Sequence, residues 1–176
     1  IDAATTEIYL ETYIFKNDPI GHMIAAALIR AAKRGVSVHL LIDGYGSYHL
    51  PEIFIQRLLN ANIKLLIYRR EDFFFRFRRY RLRRMHRKLA VIDARIAFVG
   101  GINIISDYDH PRIRLPRLDY AVSIEGPVLE KIHHAARHLW MLVAWAHFRK
   151  RWINRGKPPV SIKSKGNQLR SEEHTS

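Results

Sequence analysis

The first 69 residues alternate between two kinds of segment, and this alternation restricts the fold more than any other feature of the chain. Short runs rich in β-branched and aromatic residues are separated by longer stretches of helical composition, which end at turn signals such as Gly35. The order β-α-β-α-β predicts parallel strands joined by right-handed crossovers. The predicted elements are strands at Glu7–Phe15, Val36–Asp43 and 63–69, and helices at Ile20–Arg34 and Leu50–Asn60.

The second half of the chain has a different pattern. The segments RKLAVID and IAFVG predict a hairpin that turns at Asp93, Ala94 and Arg95, and a further strand covers Leu118–Ile124. A long helix follows Pro127, and its second half is apolar enough that we expect it to be mostly buried. We therefore predict one α/β domain over residues 1–155, with a mixed, mostly parallel β-sheet flanked by α-helices.

Both ends of the chain are unusual. The chain begins at Ile1, in what reads as the end of a helix, so we expect the domain to be truncated at its amino terminus. Residues 156–169 are rich in Gly, Pro, Ser and Lys, which is the composition of a linker. Residues 170–176 spell RSEEHTS, which matches a reading of a common sequencing-adapter string; we expect an artefact and leave the segment out of the fold.

The composition points to an anionic partner. Lys and Arg outnumber Asp and Glu by 30 to 16, which gives a formal net charge of +14. Nucleic acid, an acidic membrane surface and a phosphorylated substrate all suit such a charge. The absence of cysteine excludes disulfides and thiolate metal sites. The longest apolar run, LWMLVAWAHF, is much shorter than the ~20 residues that a membrane-spanning helix needs.

One stretch, RRMHRKLAVIDARIAFVGGIN, combines residues that suit phosphoryl chemistry. Side chains two apart on a strand share a face, so His86 and Lys88 should point to one place. An imidazole can attack phosphorus, and an ammonium can neutralise the charge that develops on its oxygens. Gly100 and Gly101 would let the backbone approach a ligand, and Asn103 adds an amide donor. This chemistry needs no metal and no cofactor.

The same residues resemble the signature of a known family. His86 and Lys88, then Asp93, then Gly100, Gly101 and Asn103 have the spacing H-x-K-x4-D-x6-G-G-x-N, which is similar to that of the phospholipase D superfamily. The segments LETYIF, AAKRGVSVHLLIDGYGS and DYAVSIEGP extend the resemblance to the amino-terminal half of bacterial cardiolipin synthases, most closely the B type. The implied fold is a phospholipase D-like domain, here one repeat of a normally two-repeat enzyme.

The resemblance implies roles for individual residues. His86 would be the nucleophile or general acid/base, while Lys88 and Asn103 would bind the phosphate together with Gly100 and Gly101. Asp119 would hydrogen-bond the motif histidine as a triad carboxylate does. Asp93 belongs to the catalytic motif, but its place in a hairpin turn favours a structural role. Glu11 and Asp43 match recurring family positions at strand ends near the cleft.

The chain departs from the family in one respect. Family active sites use two such motifs across a pseudo-twofold interface, and no second H-x-K occurs in this sequence. We interpret the other histidines of the long helix, His133, His134, His138 and His147, as exposed or core-edge residues. The missing motif would come from a second repeat of the same chain or from a homodimer partner. We expect the chain on its own to be inactive.

An arginine-rich aromatic run precedes the motif. Aromatic and basic side chains both favour the surface of an anionic membrane, and each arginine near the leaflet contributes about 1 kcal/mol. A solvated loop packed on the domain and a nucleic-acid face are the alternatives. The candidate membrane contacts are Phe75, Arg76, Phe77, Arg78, Arg79 and Arg81.

Three functions follow as hypotheses. The first is phosphatidyl transfer between two phosphatidylglycerol molecules through a phosphatidyl-histidine, at the surface of the bacterial cytoplasmic membrane as a peripheral protein. The second is a homodimeric one-motif phosphodiesterase acting on nucleic acid, which the Gly-Gly-x-Asn ending makes the weaker alternative. The third is an inactive module that binds anionic lipid.

Overall fold

The computed structural model describes residues 1–69, 84–107 and 116–155, and these form an α/β domain. The first part has the predicted order of strands and helices. Its elements are β1 (Glu7–Thr12), α1 (Pro19–Lys33), β2 (Ser37–Asp43), α2 (Glu52–Asn60) and β3 (Lys64–Tyr68). The second part adds β4 (Leu89–Ile92), β5 (Ile96–Gly100), β6 (Ala121–Ile124) and α3 (Val128–Arg155).

The six strands form one mixed sheet in the order β3-β2-β1-β4-β5-β6. The predicted crossovers pair β1 with β2 and β2 with β3 in parallel. The other three pairings, β1 with β4, β4 with β5 and β5 with β6, are antiparallel. The expectation of a mixed sheet is therefore confirmed, but the expectation that it is mostly parallel is wrong. A tight turn joins β4 to β5, and strands joined by so short a connection can only run antiparallel.

Hydrophobic side chains cover both faces of the sheet. One face packs against α1 and α2 through a core that includes Leu28, Leu40 and Phe54. The other face carries α3, where Leu129 and Ala136 pack beside Tyr9. His133 Nε2 of α3 also lies 2.7 Å from Glu7 Oε1 of β1. This is the two-sided layer arrangement that the alternating sequence predicts.

Four element predictions need correction. The last strand begins at Ala121 instead of Leu118. The first strand ends at Thr12, and Phe15 instead forms an isolated parallel bridge with Ile104. Helix α2 begins at Glu52, because Pro51 takes the N-cap position with extended backbone angles. The second half of α3 is not mostly buried: one side of it packs on the sheet through Val143, while four large apolar side chains near it are more than half exposed. These exposed side chains are Met141, Leu142, Trp145 and Phe148.

None of the helices in the described ranges is long and apolar enough to cross a membrane. The predicted linker at 156–169 and the segment 170–176 lie outside the described residues.

Candidate active site

The candidate site lies along one edge of the sheet, where the ends of five strands meet. Strands β1 and β2 are parallel, so both have their carboxyl ends at this edge. Because β4, β5 and β6 follow in antiparallel order, the edge also holds the start of β4, the end of β5 and the start of β6. The motif residues before β4, after β5 and before β6 therefore converge here from distant parts of the chain.

His86 and Lys88 are brought together over the ring of Tyr13. The imidazole of His86 is exposed and stacks on that ring, with the two ring centroids 4.1 Å apart and the planes 22° from parallel. Lys88 Nζ lies 5.4 Å from the centroid of the same ring and donates a hydrogen bond to the His86 carbonyl at 3.0 Å. An imidazole and an ammonium thus lie next to one aromatic ring, so that a potential nucleophile and a cation that could stabilise phosphate charge are close together.

Asp43, the last residue of β2, holds the backbone beside His86. Its carboxylate is fully buried, and Oδ2 accepts a 2.8 Å hydrogen bond from the backbone N–H of Met85. Oδ1 accepts from the backbone N–H groups of Tyr45 and Gly46 at 2.9 and 3.1 Å. A buried carboxylate is stabilised by such donors. Asp43 therefore links the loop after β2 to the residue that precedes the motif histidine.

Asn103 reaches the same edge from the end of β5. Its Oδ1 accepts a 3.1 Å hydrogen bond from Ile14 N, and its Nδ2 makes a long 3.4 Å contact to the Gly101 carbonyl. An amide NH2 has two donors, so the second can serve a ligand.

The two glycines that precede Asn103 have different surroundings. At Gly100 a Cβ atom would lie 2.2 Å from the Tyr120 carbonyl, so the neighbouring strand β6 explains this glycine without a ligand. Gly101 faces the carboxylate of Asp119, and a Cβ atom there would lie 3.0 Å from Oδ1.

Asp119 does not make the hydrogen bond to His86 that the resemblance implies. Within the described residues the imidazole contacts Tyr13, and the exposed Asp119 lies beside Gly101. Continuing the strand register places His86 and Asp119 on opposite sides of Ile102, about two strand spacings or ~10 Å apart. Asp119 instead borders a hollow of about 140 Å³ whose other lining residues are Ile102, Asn103, Ile105, Asp107 and Arg117.

Asp93 lies at the other edge of the sheet, five residues and ~17 Å of extended strand away from Lys88. Its two carboxylate oxygens accept hydrogen bonds from three backbone N–H groups and two hydroxyls at the start of β1. Burial opposes ionisation, but these donors prevail and lower the pKa of Asp93 well below its usual range. These contacts suit the structural role that the turn position of Asp93 favours, and they lie at the opposite end of β4 from His86 and Lys88.

Glu11 is the second buried carboxyl near the motif. It lies on β1 with only 2% of its surface exposed, and Arg87 Nε approaches Oε2 to 2.8 Å. No hydrogen bond of good geometry reaches either oxygen from the described residues. Burial raises the pKa of Glu11 to about 7, and the positive charge of Arg87 only partly offsets this.

Tyr13 and Ser47 are site residues that the sequence interpretation missed. Ser47 is buried, donates a 3.1 Å hydrogen bond to the Tyr13 carbonyl and accepts one from Phe15 N at 2.9 Å. Their signal is position alone, because both follow a parallel strand at its carboxyl end, where α/β sheets bind ligands. The candidate membrane contacts between Phe75 and Arg81 lie outside the described residues.

The sequence of the chain is similar to those of known proteins. The family model described as "Cardiolipin synthase, PLD-like domain" matches residues 1–108, from before β1 to beyond β5. The chain is 43% identical to cardiolipin synthase B of Shigella flexneri and 42% identical to that of Escherichia coli K12, each over 132 residues. These alignments cover 75% of this chain and 32% of each relative. The chain thus spans about a third of the length of the curated relatives that it matches.

Solved structures share the fold. Nuc, a phospholipase D family member from Salmonella typhimurium, matches with a TM-score of 0.55 and 24% identity, over 79% of this chain and 80% of that one. NucT from Helicobacter pylori matches with a TM-score of 0.57 and 21% identity, over 81% of each chain. At this identity the likeness concerns the fold alone. Since the family model covers more than half of the residues, the chain belongs to the family of phospholipase D-like cardiolipin synthase domains.

Proposed function

We propose that this domain is one half of a phosphatidyltransferase that forms cardiolipin from phosphatidylglycerol. The observation that carries the proposal is the pairing of His86 and Lys88 over one aromatic ring, beside Asn103, at the edge of a sheet that belongs to this family. This arrangement places an accessible nucleophile and a cation close to each other.

The reaction would proceed in two displacements. An imidazole nitrogen of His86 attacks the phosphorus of phosphatidylglycerol, the N–P bond forms, and the P–O bond to glycerol breaks. A general acid protonates the departing glycerol oxygen. A hydroxyl of a second phosphatidylglycerol then gives its proton to that group and attacks phosphorus, which breaks the N–P bond and releases cardiolipin. Lys88 and the free donor of Asn103 would stabilise the charge on the non-bridging oxygens in both steps.

The general acid would come from a second motif, carried by another repeat of the same chain or by a homodimer partner. Three large apolar side chains beside Asn103 and Asp119 support a partner at this edge. Ile102, Leu118 and Tyr120 are 53%, 79% and 74% exposed. Exposed apolar side chains of this size favour a partner that covers them, and these three are next in sequence to the polar residues that the second motif would face. Asp119 would make its triad contact there, with a histidine that approaches from the partner.

The charge of the chain supports an anionic lipid substrate. A net charge of +14 favours the anionic surface of a bilayer, and the proposed location is the bacterial cytoplasmic membrane, bound peripherally. The arginines and aromatic residues between Phe75 and Arg81 are proposed to contribute to this contact.

The test is cardiolipin output in a bacterial strain that lacks its own cardiolipin synthases. The complete coding region that contains this sequence is expressed as wild type, as His86→Gln and as His138→Gln, and lipids are quantified by mass spectrometry. We expect His86→Gln to abolish cardiolipin, because the nucleophile is lost. His138 is exposed on α3, so its variant controls for the loss of an imidazole and should match wild type. Undiminished cardiolipin in the His86→Gln strain would refute the assignment.

A phosphodiesterase acting on nucleic acid is the second candidate, and the net charge of +14 favours it as well. Protein purified from the same complete coding region is incubated with phosphatidylglycerol vesicles or with plasmid DNA. Cleavage of DNA that depends on His86, without lipid products, would favour the second candidate over the first. Vesicle binding without turnover of either substrate would instead favour an inactive lipid-binding module.

A further inference from the structure

Tyr13 is the only side chain in the described residues that contacts both His86 and Lys88 through its ring. His86 stacks on the ring with a centroid separation of 4.1 Å, and Lys88 Nζ lies 5.4 Å from the same centroid. His86 is exposed and its segment is not part of a strand, so the backbone alone does not hold the imidazole in one orientation. The contact with Tyr13 therefore limits how far the ring of His86 can rotate.

Tyr13 is itself held by the loop that follows β2. Ser47 Oγ donates to the Tyr13 carbonyl at 3.1 Å, and the same oxygen accepts from Phe15 N at 2.9 Å. Gly46 packs directly against the Tyr13 backbone, where a Cβ atom would lie 2.2 Å from the carbonyl oxygen. A larger residue at position 46 would displace Tyr13, so this loop fixes the position of the Tyr13 ring.

One buried carboxylate connects the platform to the nucleophile. Asp43 accepts from Gly46 N on one oxygen and from Met85 N on the other, and Met85 precedes His86 directly. The same residue thus sets the position of the loop under Tyr13 and of the backbone that carries the imidazole. Through these two hydrogen bonds Asp43 fixes the ring of Tyr13 and the imidazole of His86 relative to each other.

We propose that Tyr13 is a positioning residue for His86: its ring, held by the loop after β2, keeps the imidazole in the orientation needed to attack phosphorus. The inference rests on the proposed function and adds a specific role to it. The ring carries this role and the hydroxyl does not, because both contacts are made to the face of the ring. Catalytic groups work when they are held within about 0.5 Å and 10–20° of the productive geometry. Displacement of a group by about 1 Å can cost ~100-fold in rate.

The experiment compares three variants of the complete enzyme in vesicles of phosphatidylglycerol. Tyr13→Phe keeps the ring, Tyr13→Leu replaces it with a side chain that cannot stack, and Tyr48→Leu removes an exposed tyrosine that makes no contact with His86. We expect Tyr13→Leu to lower kcat about 10- to 100-fold with KM within about twofold. Tyr13→Phe and Tyr48→Leu should stay within about twofold of wild type in both constants.

An NMR measurement on the complete protein, which does not depend on turnover, separates a failure of this inference from a failure of the proposed function. The ring protons of His86, assigned by their loss in His86→Gln, should be shifted upfield by the face of Tyr13. The shift should persist in Tyr13→Phe and vanish in Tyr13→Leu.

Each outcome decides one of the two proposals. Wild-type enzyme without cardiolipin would refute the proposed function, while the NMR shifts would still test the contact. Full activity in Tyr13→Leu, or an equal loss in Tyr13→Phe, would overturn the positioning role of the ring. A rise in KM at unchanged kcat would also overturn it, because the ring would then contribute to substrate binding.

Discussion

Replacement of Glu11 by Gln should change how the stability of this domain depends on pH. Glu11 is buried on β1, with only Arg87 as a charged neighbour among the described residues, and burial raises its pKa from 4.5 to about 7. The unfolded chain releases this proton near pH 4.5, whereas the folded chain keeps it until about pH 7. Between these values the folded state binds more protons, so the stability of the wild type falls as the pH rises.

The magnitude follows from the two pKa values. Each unit of difference corresponds to about 1.4 kcal/mol, so the raised pKa of Glu11 costs the wild type about 3 kcal/mol at pH 8 compared with pH 4. The side chain is 3% exposed, so solvent screening reduces this figure little. Glutamine has nearly the same shape and no proton to lose. The Glu11→Gln variant should therefore match the wild type near pH 4 and exceed its stability by up to about 3 kcal/mol at pH 8.

The free energy of unfolding is measured by urea titration, followed by tryptophan fluorescence and far-UV circular dichroism, at several pH values between 4 and 8. The control is Glu130→Gln, which makes the same change at an exposed residue in the first turn of α3, where loss of the favourable helix-dipole contact should lower stability by no more than about 1 kcal/mol. Parallel curves for wild type and Glu11→Gln over the whole range would refute the reasoning, because the buried carboxyl would then not titrate differently in the two states.

Two further changes test contacts that hold the strands of the sheet together. Asp93→Asn should lower stability by about 2 kcal/mol near pH 7, since the anion that accepts five hydrogen bonds at the start of β1 is lost. Because the pKa of Asp93 is lowered in the fold, that contribution is present above the ordinary value of 3.8 and disappears as the pH falls. The stabilities of wild type and variant should therefore converge in acid. A constant difference in stability down to pH 2 would contradict this. Gly100→Ala should force β6 away from β5, at a cost of about 1–3 kcal/mol, because the new methyl group would overlap the Tyr120 carbonyl. Hydrogen exchange should then accelerate in β6 and stay slow in β2, whereas unchanged exchange in β6 would show that the strand tolerates the methyl group.

The sequence was sufficient for the first half of the fold and for the identity of the motif. Alternating composition and turn signals specify β1 to β3 with their helices, because each of these elements has its own local pattern. The direction in which β4 joins β1 has no such pattern. It depends on which outer strand, β1 or β3, the hairpin pairs with. Because the sequence does not reveal that choice, the expectation of a mostly parallel sheet was wrong.

The site was predictable where residue type implies chemistry and unpredictable where position alone matters. His86 and Lys88 carry reactive groups, and their spacing predicts that they lie together. Tyr13 has no charge and lies in the aromatic run that the sequence predicts as the end of a strand, so its sequence context does not distinguish it from a core residue. The expected contact between Asp119 and His86 is not made within the described residues, and it could not be judged from the sequence because it depends on distances across the sheet that no local pattern reports.

The placement of Asp93 changes the meaning of the motif itself. Between Lys88 and Asp93 the spacing H-x-K-x4-D covers one strand, β4, and the six residues that follow Asp93 return along β5 to the edge from which the motif started. The spacing of the signature therefore matches the length of the hairpin, with the reactive groups at one end and the hydrogen-bonded carboxylate of Asp93 at the other. A single residue inserted in β4 would leave every amino acid of the motif in place, yet it would turn either the ammonium away from the site or the carboxylate away from its anchor. Variation in this family should accordingly be freer in the residues between the fixed positions than in their number.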